Sequence, residues 1–125
     1  MYFYPNVILV ENIMKVKTQG NTVIIQETEG EDINLFLEKI THQYSSYKEA
    51  NLIVDISKKK DATNKDVLLF SKLSALHKKG KKSFVVIMNE DFDFNSATDK
   101  VLIVPTLQEA YDIIEMEEIE RDLGF

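Results

Sequence analysis

Residues 83–88 read SFVVIM, and every residue after the serine is apolar. Successive side chains of a β-strand point to opposite faces of a sheet, so a strand of this composition is buried on both faces. Such a sheet must lie between two covering layers. We expect the helices of sequential βα units to cover one face, so residues 1–13 or another molecule should cover the other.

The remaining elements follow from hydrophobic periodicity and turn residues. In residues 14–18, Met14, Val16 and Thr18 alternate with Lys15 and Lys17, which is the pattern of a β-strand. Turn residues follow at 19–21, and the run TVIIQET, rich in β-branched residues, then predicts the second strand of a β-hairpin. Helical spacing of apolar residues predicts helices over 32–44, 63–79 and 106–121, with strands at NLIVDIS, SFVVIM and VLIV. The chain is therefore predicted to be an α/β protein with a mixed, mostly parallel sheet of about five strands.

Details of two predicted helices bear on the site. In the helix over 63–79 we expect Phe70, Leu73 and Leu76 to face inward and Gly80 to end the helix. We expect His42 and His77 to lie at the surface. Thr106 follows Pro105 and is predicted to cap the last helix.

The length of 125 residues suits one domain, predicted over 14–125. Residues 1–13 are predicted to form either a leader or an extra strand, with Met14 as an alternative start. Their apolar run VILV is far shorter than a membrane span, and they lack the basic start of a signal peptide.

Composition excludes several kinds of chemistry. The chain has no cysteine, so disulfides, zinc–thiolate sites and cysteine nucleophiles are ruled out. Its two histidines lack metal-ligand spacing, and Asp91 and Asp93 in a polar loop are expected to be solvated, so no metal or cofactor is predicted. The net charge of −6 makes nucleic acid an unsuitable partner. No nucleophile–base pair stands out, which predicts a protein that is not an enzyme.

With these elements in place, residues 14–121 resemble the STAS domain of anti-sigma factor antagonists and sulfate transporter tails. NLIVDIS matches the family's strand ending in Asp-x-Ser, LHKKGKKSFVVI its helix, basic turn and next strand, and VPTLQEAYDII its last helix. The resemblance implies a stand-alone STAS-like module in the cytoplasm, which binds another protein and has a regulatory role. A homodimer is possible, and no membrane partner is expected.

The resemblance also implies a site where the strand ends and the next helix begins. The corresponding residues here are Asp55, Ser57, Lys58, Thr63, Asn64, Lys65 and Asp66. Antagonists of the family are phosphorylated on a serine at this corner, but Lys65 stands in its place and Asp66 replaces the family's glycine. Thr63 is the only nearby hydroxyl that could accept a phosphate, and its Thr-x-x-Asp pattern favours helix capping instead.

Two further functions stay open. The lysines at 58–60 and 65 could face an anion, which would suit a small-anion or nucleotide sensor. Short chains with a similar ending are sometimes named ribonuclease Z, which suggests an accessory role in RNA processing. The HxHxDH zinc motif of that enzyme is missing from this sequence.

Overall fold

The computed structural model describes residues 14–28, 30 and 32–124, together with the strand course of residues 3–4 and 7–10. The described residues form one sheet of seven strands in chain order, namely β1 (Phe3–Tyr4), β2 (Val7–Val10), β3 (Met14–Gln19), β4 (Thr22–Glu27), β5 (Asn51–Asp55), β6 (Phe84–Ile87) and β7 (Leu102–Val104). Strands β1 to β4 pair antiparallel, and β4 to β7 pair parallel. The predicted α/β class and mixed sheet are confirmed.

Four helices join or follow the parallel strands, namely α1 (Ile33–His42), α2 (Asn64–Leu68), α3 (Ser71–Lys79) and α4 (Leu107–Asp122). Short 3₁₀ turns lie at Tyr44–Ser46 and Phe94–Ser96. Thr106 caps α4 as predicted, since its side chain accepts a hydrogen bond from the Glu109 amide. Among the described residues, no helix is long and apolar enough to cross a membrane.

The predicted hairpin is confirmed in detail. Gln19 of β3 pairs with Thr22 of β4, which leaves Gly20 and Asn21 as a two-residue connection. Gly20 has a φ of +60°, a left-handed conformation that costs glycine no steric penalty. Strands β1 and β2 extend the sheet beyond this hairpin, while residues 1, 2, 5, 6 and 11–13 lie outside the described part of the chain.

The two faces of the sheet are covered by different helices. The larger core lies on the face of Val54 and Val86, where α1, α2 and α3 contribute side chains such as Phe36, Val67 and Leu73. On the opposite face, α4 packs on β5, β6 and β7; the buried residues there are Ile53, Val85, Ile87, Val104, Ala110 and Ile114. The expectation that residues 1–13 or another molecule cover the second face of β6 was therefore wrong, because the chain returns over that face through α4.

The predicted helix over 63–79 is two helices, with a turn at Leu69 and Phe70 between them. Phe70 and Leu73 are buried as predicted, but Leu76 is 54% exposed. The inward position one turn after Leu73 belongs to His77, which is only 1% exposed. The expectation that His77 lies at the surface was wrong, whereas His42 is exposed as expected.

The His77 ring connects three parts of the larger core. Its Nε2 lies 2.6 Å from the Ala50 carbonyl oxygen, which can only accept, so Nε2 carries the proton and donates. Its Nδ1 lies 2.6 Å from the hydroxyl of Tyr44, and burial raises the pKa of that tyrosine above 10.0, so the hydroxyl donates to Nδ1. The ring also meets those of Tyr44 and Phe84 edge to face. The neutral tautomer therefore satisfies both ring nitrogens.

Helix α3 ends at Gly80, but the left-handed residue is the next one. Lys81 has a φ of +62°, while Gly80 has an ordinary φ of −78°. The Lys81 amide donates to Lys78 O and the Lys82 amide to His77 O, which is the hydrogen-bond pattern of a Schellman cap. The predicted C-terminal cap is thus present, but its left-handed residue is Lys81 and not Gly80, although glycine adopts this conformation more easily.

The C-terminal half of α4 is hydrogen-bonded to the edge of the sheet where the parallel strands begin. Glu118 Oε2 accepts from the side-chain amides of Asn21 at 2.6 Å and Asn51 at 3.2 Å. Asn51 is buried, and its Oδ1 accepts the amide of Ser83 at 2.9 Å. Arg121 donates to the Ser83 hydroxyl at 3.2 Å. These bonds set the rotation of α4 about its own axis.

Candidate functional site

The candidate site is the corner over residues 55–66, where β5 ends and the chain turns into α2. Asp55 is the last residue of β5, and its Oδ1 accepts the Ser57 amide at 2.9 Å. Its Oδ2 lies 3.4 Å from Nε2 of Gln26 on the neighbouring strand β4. Asp55 therefore shapes the turn after the strand, which explains why a buried apolar run ends in a carboxylate.

The turn that contains Ser57 and Lys58 is held between two neighbouring loops. Gly30, with a φ of +70°, approaches so closely that a Cβ there would lie 2.6 Å from the Lys58 carbonyl oxygen. On the other side, Asn89 Nδ2 donates to the Ser57 carbonyl oxygen at 3.1 Å. The Lys58 side chain itself is exposed. The backbone of this part of the corner is thus fixed while its lysine faces solvent.

Asn64 holds the corner against the long loop between β6 and β7. Its Nδ2 donates to the Ser96 carbonyl oxygen at 2.6 Å, and its Oδ1 accepts the Thr98 amide at 3.1 Å. One side chain thereby satisfies two backbone groups of a segment more than thirty residues away. Asn64 is a positioning residue for this corner.

The start of α2 is organised by Asp66 more than by Thr63. Asp66 Oδ2 accepts the Thr63 amide at 2.8 Å. The two residues have the arrangement of a capping box, but the Thr63 hydroxyl makes no well-formed capping hydrogen bond. Thr63 is exposed, so its side chain is open to solvent at the rim of the corner.

A groove of about 560 Å³, which we call the corner groove, runs between the corner and the long loop. Its lining residues are Lys60, Asp61, Ala62, Thr63, Asn64, Lys65, Asp91, Phe92, Asp93 and Ser96. The rings of Phe92 and Phe94 meet edge to face with centroids 5.2 Å apart, and both are half-buried. The groove thus combines one aromatic side chain, Phe92, with cations and carboxylates.

The predicted site residues separate into two groups. Thr63, Asn64 and Lys65 line the corner groove, whereas Asp55, Ser57, Lys58 and Asp66 are absent from its lining. The contribution of Phe92 and Ser96 was missed. Their loop follows β6 at the same edge of the sheet as the corner, and loops at the carboxyl ends of neighbouring parallel strands meet there.

Replacing Asn64 by alanine is expected to lower the free energy of unfolding by about 1.5 kcal/mol, because two backbone groups lose their partner. It should also speed hydrogen exchange of the Thr98 amide, which Asn64 accepts. Urea denaturation and exchange measured by NMR check both effects. Asn95→Ala, an exposed position in the same loop, is the control and should change stability by less than about 0.5 kcal/mol. Equal effects of the two variants would contradict the role of Asn64.

Charged side chains of both signs line the corner groove. Within the described ranges, no three His, Asp or Glu side chains are grouped as a metal site. Lys59 and Asp61 form an ion pair at 3.3 Å, in which the aspartate is largely solvated.

No family model matches the chain, and no curated protein matches it.

Proposed function

We propose that this chain is a STAS-like protein-interaction module of the cytoplasm, which acts by contact through the corner groove and has a regulatory rather than a catalytic role. The observation that carries the proposal is the double hydrogen bond of Asn64 to Ser96 and Thr98. It joins the corner and the long loop into one preformed surface. Preformed surfaces lose less conformational entropy on binding, which favours recognition of a partner.

The proposed module does not use the phosphoserine switch of the antagonists. Lys65 occupies the position of the family's serine, and the amide of Thr63 is already held by Asp66. A phosphate on Thr63 would lie beside Lys60 and Lys65 in the lining of the groove, so its charge would be partly neutralised. Binding is therefore proposed to be constitutive.

A catalytic role has little support from the two histidines. His77 is buried and uses both ring nitrogens in bonds to Tyr44 and Ala50. His42 lies on α1, and it is absent from the lining of the corner groove. Neither histidine is placed to serve as a general base at the groove.

Site-specific photo-crosslinking in the native cell tests the proposal. A photoreactive residue at Lys60, which is exposed and lines the groove, is expected to give a discrete adduct with another protein. The same residue at Glu38, which is exposed on α1 and absent from the groove lining, is the matched control and should give none. Adducts of equal yield at both positions would contradict a specific contact at the groove.

The anion-sensor alternative is favoured by Lys60 and Lys65, which lie on the same groove as Thr63. Three carboxylates, Asp61, Asp91 and Asp93, also line it and oppose an anion. A nucleotide that binds the groove at ~100 times its Kd would stabilise the fold by about 2.7 kcal/mol. A rise in Tm with nucleotides or inorganic phosphate that Lys60→Ala and Lys65→Ala abolish would replace the contact proposal by this one.

A further inference from the structure

Exposed apolar residues lie along α4 and along the turn into α3, on opposite sides of the sheet. Met116 and Ile119 of α4, and Leu123 directly after its last residue, are each more than half exposed and follow the i, i+3, i+7 spacing of one helix face. This face, with exposed carboxylates beside it at Asp112, Glu115 and Glu120, is called the α4 stripe. It is turned away from the sheet, because Ala110 and Ile114 occupy the buried side of the helix.

The second surface runs along the end of α2 and through α3. Leu69, in the turn between α2 and α3, and Leu76 of α3 are exposed, and each is followed three residues later by an exposed lysine, Lys72 and Lys79. These four residues are called the α3 stripe. Its buried counterpart is formed by Leu73, Ser74 and His77, so the stripe also faces outward.

We infer that the chain self-associates head to tail, with the α4 stripe of one copy on the α3 stripe of the next. Both stripes expose apolar side chains, and the carboxylates of Asp112, Glu115 and Glu120 beside the α4 stripe are opposite in sign to Lys72 and Lys79 of the α3 stripe. Basic residues of the same copy, Lys81, Lys82 and Arg121, line the groove at the Ile119 end of the α4 stripe. Two α4 stripes facing each other would instead bring like carboxylates together. A second copy of this chain therefore fits the α4 stripe better than a symmetric pairing of α4 with α4.

The layer arrangement makes this contact intermolecular and repeating. Helix α3 packs on one face of the sheet and α4 on the other, so a single copy cannot bring its own stripes together. A bound pair keeps one free α3 stripe on one copy and one free α4 stripe on the other, and heterologous contacts of this type extend into open chains or closed rings. With only two or three apolar side chains on each side, the interface belongs to the small, transient class. This inference is independent of the corner groove and goes beyond the proposed function.

Salt dependence distinguishes the two ways of pairing. Opposite charges attract less when salt screens them, so head-to-tail assembly should weaken as salt rises from ~50 to ~500 mM NaCl. A symmetric α4 pair would behave in the opposite way, because screening relieves repulsion between its carboxylates. In sedimentation velocity we expect the average mass of the purified full chain to rise with protein concentration at low salt and to fall toward the monomer at high salt.

Complementary single variants give the decisive experiment. Ile119→Asp spoils the α4 stripe and Leu76→Asp spoils the α3 stripe, and both positions are solvent-exposed, so the fold should persist by circular dichroism. Each variant alone is expected to remain monomeric. In an equimolar mixture, the intact α4 stripe of Leu76→Asp can bind the intact α3 stripe of Ile119→Asp. The average mass should therefore rise to about twice the monomer mass and no further, because both remaining free stripes of such a pair are the substituted ones.

Leu35→Asp is the matched control, because Leu35 is an exposed leucine on α1 outside both stripes. It should associate as the unmodified chain does. A monomeric unmodified chain at every concentration tested at low salt would overturn the inference. So would a mixture that stays monomeric, or an association that Ile119→Asp abolishes and Leu76→Asp leaves intact.

Discussion

Replacing His77 by alanine is expected to lower the free energy of unfolding by about 4 kcal/mol. The substitution leaves the Ala50 carbonyl and the Tyr44 hydroxyl without their hydrogen bonds, and it opens a cavity beside Phe84. Since domains of this size are stable by about 5–15 kcal/mol, a loss of this size is a large part of the total. Urea denaturation followed by circular dichroism measures it.

The chain supplies its own control for this substitution. His42→Ala removes the other histidine from an exposed position at the end of α1, and it should change stability by less than about 0.5 kcal/mol. His77→Gln should fall between the two, because its amide can still donate toward the Ala50 carbonyl. A cost for His77→Ala no greater than that for His42→Ala would show that the buried ring contributes little.

His77 should also make stability depend on pH. Burial lowers the pKa of His77 below its ordinary value of 6.5; the hydrogen bond to Ala50 opposes this shift, and the charge of Lys82 adds to it. Below pH 6.5 the unfolded chain therefore takes up a proton that the folded chain does not. This contribution to stability is complete above pH 6.5 and is lost as pH falls toward the lowered pKa, by at most about 1.4 kcal/mol per pH unit.

The sign of this effect can be tested directly. The His42→Asn variant keeps only His77, whose pKa can then be followed by the NMR chemical shifts of a single ring. We expect a value below 6.5, and we expect the difference in unfolding free energy between this variant and His42→Asn/His77→Gln to shrink as the pH falls below 6.5. A pKa above 6.5, or a difference that grows on acidification, would contradict the neutral buried ring.

The misplacement of His77 shows where residue type and helix phase disagree. Positions 70, 73 and 77 have the i, i+3, i+7 spacing of one face, and Phe70 and Leu73 were correctly expected on it. Leu76 was expected to complete the face because it is apolar, although position 77 fits the helical period better. The helical period, and not the residue type, determined that His77 is buried and Leu76 is exposed. The polar ring of His77 is tolerated in the core because it accepts a hydrogen bond from Tyr44 and donates one to Ala50.

The sheet was predictable because its signals are local, whereas the contacts between distant segments were not. Apolar runs and the turn at Gly20 identify the strands and the hairpin from a few residues each. The helix that covers the second face of β6 could not be read in this way, because α4 is apolar on more than one side. At the candidate site, Asp55 and Asn64 were named from the sequence, but their partners Gln26 and Ser96 depend on which strands and loops become neighbours.

Glu118→Ala is expected to lower the free energy of unfolding by about 2 kcal/mol, because it leaves the side-chain amide of the buried Asn51 without its acceptor. The bond from Asn21 is lost as well, so two attachments of α4 to the sheet disappear together. Glu118→Gln keeps an oxygen that can accept and should cost about half as much. Thermal and urea unfolding of the three proteins measure the series.

Glu120→Ala is the control, since it removes an exposed carboxylate of the same helix two residues away and should cost less than about 0.5 kcal/mol. Because the bonds of Glu118 set which side of α4 faces the sheet, their loss should also allow the last turns, with Ile119 and Leu123, to fray. Hydrogen exchange at the amides of those turns should then be faster in Glu118→Ala than in Glu120→Ala. If the two variants exchange and unfold alike, packing of Ala110 and Ile114 alone holds the helix, and the hydrogen-bonded edge is not what orients the α4 stripe.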